Sequence, residues 1–76
     1  MKGFNCVERE TMLKELRNKG NKKVYEYMRN RDFNLYDCTE NNESGYIAEF
    51  YKTAAGITTK TVFVIFNNRW RVVDVK

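Results

Sequence analysis

The sequence predicts an α+β fold: two short N-terminal helices packed on one face of a three- or four-stranded antiparallel meander sheet. Helical spacing of apolar residues is confined to the chain before Asp32. From Phe33 onward, aromatic and β-branched residues recur in runs separated by turn residues. Runs of helix followed by runs of strand define this class. The 76 residues make one small domain, 1–76.

The first helix is expected from about Cys6 to Asn18. Asn5 and Glu8 have capping-box spacing, and Met12, Leu13 and Leu16 make one stripe, with Cys6 or Arg9 at its upper edge. Gly20 is expected to stop the helix as a left-handed cap, and Asn21 to cap a second helix over Lys22–Arg31. Val24, Tyr27 and Met28 give that helix its apolar stripe, with Tyr25 off it. A helical hairpin lying on a sheet is favoured over a DNA-binding helix-turn-helix, which needs a third helix to pack against.

Phe33–Thr39 alternates loosely enough for a first strand, with Leu35, Asp37 and Thr39 on one face. Glu40–Gly45 is a polar turn that lacks the ligand spacing of a calcium loop. Tyr46–Thr53 is aromatic-rich and reads as a strand, and Ala54-Ala55-Gly56 turns the chain. Thr58–Phe66 and Arg69–Lys76 form a closing hairpin. A two-residue turn at Asn67-Asn68 would set Ile65 opposite Trp70 and Phe63 opposite Val72. In that register Phe63, Ile65, Trp70 and Val72 share the face expected beneath the helices. Val62, Val64, Phe66, Val73 and Val75 share the other face with Arg69 and Arg71.

Composition excludes more than it assigns. There is no histidine, so the usual general base near neutral pH is missing, as is a common metal ligand. Cys6 and Cys38 stand alone, without metal or redox spacing, and are expected as reduced thiols of a cytoplasmic protein. No run approaches the roughly 18 apolar residues of a membrane span. No cofactor, metal site or catalytic residue is expected. A single core at this size rarely supplies more than roughly 3–5 kcal/mol, so self-association as a homodimer is the expected source of further stability. The Asn- and Lys-rich, proline-free composition resembles that of phage or mobile-element accessory proteins.

The net charge of +4 hides a block pattern. Arg17, Lys19, Lys22, Lys23, Arg29 and Arg31 face only Glu26 within their stretch. From Asp32 to Tyr51 there are five acids and no lysine or arginine, and basic residues then return through Arg69 and Arg71 to Lys76. Either the blocks neutralise one another in the fold, or the basic ones converge on one surface able to hold a polyanion.

Two functions follow as expectations. One is a non-enzymatic binder of RNA or single-stranded DNA. Its phosphate contacts would come from Arg17, Lys19, Lys22, Lys23, Arg29 and Arg31, with stacking or clamping by Phe66, Arg69 and Arg71. The platform would be completed by Tyr46, Phe50 or Tyr51 on a neighbouring strand. The other is a small protein-binding inhibitor or adaptor, acting through an apolar strand face or through the acidic block as a mimic of nucleic acid.

Overall fold

A computed structural model describes residues 6–41 and 45–76. Its order is α1 (Cys6–Leu16), α2 (Asn21–Asn30), β1 (Asn34–Asn41), β2 (Gly45–Ala54), β3 (Ile57–Asn67) and β4 (Val72–Val75). The strands form one antiparallel meander in the order β1-β2-β3-β4, and both helices lie on the same face of it. The expected α+β architecture is therefore present. Asn5, expected to cap α1, and the centre of the expected Glu40–Gly45 turn lie outside the described residues.

Met12 and Leu16, one turn apart, are the buried residues of α1, which packs on β4. Val24 and Met28 repeat the spacing in α2, which lies toward β1. Tyr25 is not off the stripe as expected: it packs edge-on against Phe50 with ring centroids 5.9 Å apart. α2 ends where Asp32 turns left-handed at φ 67°, letting the Phe33 amide donate back to the Met28 carbonyl (2.9 Å).

The connector between the helices departs from expectation. Asn18, not Gly20, takes the left-handed position after α1, at φ 66°. Asparagine tolerates that region better than most residues. Gly20 is instead extended (φ −83°, ψ 173°) and precedes α2 as its N-cap, the place expected for Asn21. The reason is a pairing that local sequence does not announce. The Asn18 amide donates to the Val72 carbonyl (3.0 Å), the Val72 amide donates to the Lys19 carbonyl (3.1 Å), and Gly20 bridges Arg71 in antiparallel fashion. The connector thus runs as a short extra strand along the outer edge of β4. Farther along that edge Arg9 donates to the Val75 carbonyl (3.1 Å), and Asp74 accepts the Val75 amide (2.8 Å). Long unpaired sheet edges invite unwanted pairing, and here side chains and connector occupy the edge.

The buried face of the sheet is the reverse of the expected one. Ala48, Phe50, Val62, Val64, Phe66, Val72 and Val75 are buried beneath the helices with Phe33. Phe63 is 37% exposed, and Ile65 lies on the same outer face. The turn contributes to this by taking Arg69 and Arg71 off the strand that faces Val64 and Phe66. Three residues, Asn68, Arg69 and Trp70, separate the closing pair Asn67 and Arg71, and Phe66 lies opposite Val72. Val72 therefore joins Val64 and Phe66, and a bulge at Val73 brings Val75 opposite Val64 on the same face. Charge reinforces the choice. The buried face has an uncharged centre, whereas the outer face carries Glu49 opposite Phe63 and Asp74 opposite Ile65. Burying those carboxylates without full partners would be costly. A second bulge, at Tyr36, separates Leu35 from Asp37 and Thr39, so the single β1 face expected for those three is not formed.

The two faces should respond differently to truncation. Phe66→Ala is expected to cost roughly 3–5 kcal/mol, enough to unfold a domain of this size. Phe63→Ala should cost less than about 1 kcal/mol, within the range of ordinary surface changes. Urea unfolding followed by circular dichroism measures both, and the opposite order would place the helices on the other face.

Candidate nucleic-acid interface

The bridge between Gly20 and Arg71 brings together residues from opposite ends of the sequence. Arg17 and Lys19 stand on the connector, Lys22 and Lys23 in the first turn of α2, and Arg69 and Arg71 in the β3–β4 loop. All six are exposed. Three ion pairs are formed among the described residues: Arg9–Asp74 at 3.5 Å, Arg31–Glu15 at 3.6 Å and Lys60–Glu8 at 2.8 Å. None of them uses a cation of this end, and none joins the basic stretch 17–31 to the acidic stretch 32–51. The local helix field adds to the positive potential. The first turn of α2 has no acid and its N-cap makes no side-chain hydrogen bond. Lys22 and Lys23 therefore sit at the positive end of the helix dipole, an unfavourable place for cations in the absence of an anion.

The remaining expected contact residues separate into two groups. Arg29 and Arg31 belong to the far end of α2, which is about 15 Å long. Arg31 is occupied there, with its guanidinium 3.6 Å from the Tyr27 ring centroid and paired with Glu15. Phe66 requires a correction. It is 1% exposed beneath the helices and cannot stack on a base from solution. Phe50, its expected neighbour in a platform, is likewise buried, and Tyr51 lies on the opposite face with Thr61 and Phe63.

Trp70, expected in the core with Phe63 and Ile65, lies instead in the loop. Its backbone is left-handed, φ 60°. The third residue of a three-residue hairpin loop normally takes that conformation, and glycine is preferred there. For a bulky side chain the conformation costs of order 1–3 kcal/mol. The loop is held by Asn67, whose side-chain oxygen accepts the Arg69 and Arg71 amides at 2.9 and 3.0 Å, while its carbonyl accepts the Trp70 amide at 3.0 Å. The indole turns back onto the sheet. It stacks on Tyr46 at a centroid distance of 3.8 Å and an interplanar angle of 8°, and meets Phe66 at 5.3 Å, tilted by 59°. Both Trp70 and Tyr46 are half-buried. The sequence signal for this loop is Asn67, a residue type that readily bonds its own backbone two residues on.

Elsewhere the surface offers less. A hollow of about 260 Å³ between α1, α2 and the sheet is lined by Met12, Tyr27 and Phe33 among others, with Lys52 lying 4.8 Å from the Phe33 ring centroid. Among the described residues no three His, Cys, Asp or Glu side chains converge as a metal site. Cys38 is a half-buried free thiol, and Cys6 is exposed and also free. Among the described residues no helix is long and apolar enough to cross a membrane. Compared with known proteins, the chain matches no family model, no curated protein and no solved structure. What fold and surface define is an α+β domain that brings six exposed cations together where the connector meets the β3–β4 loop, with Glu40 at the same end of the sheet.

Two tyrosines of α2 have shifted hydroxyls. Burial pushes Tyr25 above its ordinary value of 10.0, and Cys38 adds to the rise by charge and hydrogen bonding. Burial also raises Tyr27, with Arg31 opposing and Glu15 assisting. In the unfolded chain these groups lose their protons first, so above about pH 10 the unfolded state binds fewer protons than the native one and stability rises with pH only in the opposite case. The native hydroxyls hold their protons to higher pH than the unfolded ones, so the stability that the neutral hydroxyls contribute is lost as the pH rises above about 10. Below about pH 10 that contribution is fully present. Unfolding free energies measured by urea titration on either side of pH 10 should show this decline, and Tyr25→Phe should make it shallower.

Proposed function

We propose that the protein is a small non-enzymatic binder of RNA or single-stranded DNA, held through its basic end. The observation that carries this reading is the pairing of the connector with Arg71 and Val72, which joins the two basic segments on one exposed surface. Arg17, Lys19, Lys22, Lys23, Arg69 and Arg71 supply phosphate contacts there. A polyanion relieves the mutual repulsion of these cations and releases its own counterions. Arg31, bound to Glu15 and Tyr27, contributes little, and Arg29 lies outside the cluster.

Fluorescence anisotropy with labelled single-stranded RNA at several salt concentrations tests the reading. Lys22→Gln/Lys23→Gln should weaken binding at low salt and reduce the slope of log K against log salt by about 1.4, roughly 0.7 for each phosphate no longer neutralised. Arg31→Gln should leave that slope unchanged. Absence of binding even at low salt would end the proposal.

The outer face of the sheet favours a second reading, protein contact as an inhibitor or adaptor. Neither α1 nor α2 covers Ile47, Tyr51, Phe63 and Ile65, and Tyr36, 69% exposed, packs edge-on against Tyr51 at 6.3 Å. Glu49 and Asp37 lie opposite one another beside these apolar groups, which suits a protein surface better than a phosphate backbone. A second copy of the chain is the simplest occupant. Under this reading sedimentation velocity shows a concentration-dependent dimer that Phe63→Glu dissolves, and a monomer at every concentration argues against it.

A further inference from the structure

We infer that the Tyr46–Trp70 stack is the base-binding platform of a single-stranded nucleic acid whose phosphates run along Arg69, Arg71 and the connector. The inference rests on the nucleic-acid reading above and gives it a contact other than charge.

Three observations lead to it. The first is the backbone of Trp70. A loop that needs only to reverse the chain would place glycine or asparagine at φ 60°, yet the single tryptophan of the chain occupies it. Core packing accounts for only part of that choice, because the side chain remains half-buried. Backbone outliers of this kind concentrate at ligand-binding sites.

The second is the geometry of the pair. Aromatic side chains within proteins prefer offset or edge-to-face contacts. Tyr46 and Trp70 are stacked nearly parallel, inclined by 8°, with centroids only 3.8 Å apart, closer than the usual spacing of such pairs. That is the relation of successive stacked bases, and an unpaired base extends it as a further member. Phe66 backs the indole from the core at 5.3 Å, so the platform does not need to be ordered when a base arrives.

The third is the company the pair keeps. Arg69 and Arg71 flank Trp70 in sequence, and their amides are pinned by the Asn67 side chain while their own side chains stay exposed. Cations beside an aromatic stack hold a backbone while its bases lie on the rings. Glu40, the Cα partner of Tyr46, places an acid on the strand side of the platform. It bars the phosphate path in that direction and leaves the turn side, where the arginines are. A duplex keeps its bases within its own stack, so the site selects unpaired nucleotides in RNA or DNA.

The lone tryptophan makes the test specific, because intrinsic tryptophan fluorescence reports this site alone. The protein is titrated with oligouridylate, with oligodeoxythymidylate and with an abasic oligonucleotide of equal length, which has the phosphates without the bases. The expected result is quenching of Trp70 emission by the intact oligonucleotides and not by the abasic one. In parallel, anisotropy with labelled oligonucleotide should show Trp70→Gly weakening binding by about 5- to 150-fold, the range for removal of one stacked base. Glycine suits the loop backbone, so this variant keeps the turn, and its unchanged circular dichroism verifies that. Trp70→Phe should retain most of the affinity, and Glu40→Gln should increase it. Salt-dependent binding that is equal for intact and abasic strands and indifferent to Trp70→Gly overturns the platform while leaving the basic end as the binding surface. No salt-dependent binding of any strand overturns the nucleic-acid reading itself and the platform with it.

Discussion

The pair of hydrogen bonds between the interhelical connector and Val72 is the constraint on which the other features depend. Each backbone bond adds only about 1 kcal/mol net, so its importance is geometric. It fixes where α1 must stop, which is why a left-handed Asn18 follows the helix and Gly20 remains extended. It aligns α1 over β4 and lets α2 cross toward β1, closing the helical layer over Phe50, Val64 and Phe66. It also turns two basic segments, distant in sequence, into one surface.

The molecule that results has its charge and its apolar surface on different sides. The cations of the connector, of the start of α2 and of the closing loop gather where the helices meet the end of the sheet. The outer face lies away from α1 and α2 and mixes Phe63, Ile65 and Tyr51 with Glu49. Each surface suits a different class of partner, and nothing in the fold prevents both from being used together. The ion pairs Arg9–Asp74 and Lys60–Glu8 bind α1 to the sheet away from the basic end, so that end keeps its charge.

The class of fold and the order of its elements are legible in the sequence because periodicity is a local property. Met12 with Leu16 and Val24 with Met28 repeat at one helical turn, and the strands announce themselves by aromatic and β-branched runs. The choice of buried face is not legible, because it rests on a single loop. Asn67-Asn68 suits a two-residue turn as well as the three-residue loop that is formed. The side chain of Asn67, accepting two amides at once, favours the second. One extra loop residue moves Val72 from the company of Phe63 to that of Phe66 and keeps Arg69 and Arg71 out of the strand, which leaves the Val64 and Phe66 face free of charge for burial. The basic end is half legible. Its cations are visible as two blocks, but their meeting depends on a connector that reads as an ordinary turn. The Tyr46–Trp70 stack is hidden for the same reason as the face: alternation assigns Trp70 to a strand it does not enter.

The link between Asn18 and Val72 also has a consequence for how the chain folds during synthesis. Proteins fold more slowly when their contacts join distant parts of the sequence. Here the two helices leave the ribosome first, but the strand that seats their connector is made after β1, β2 and β3. Until β4 has emerged, Leu16 and the connector lack the edge they lie against, and the inner face of β3 is without its neighbour. The helical pair is a waiting element, and β4, the shortest strand of the sheet, is the latch that completes the domain.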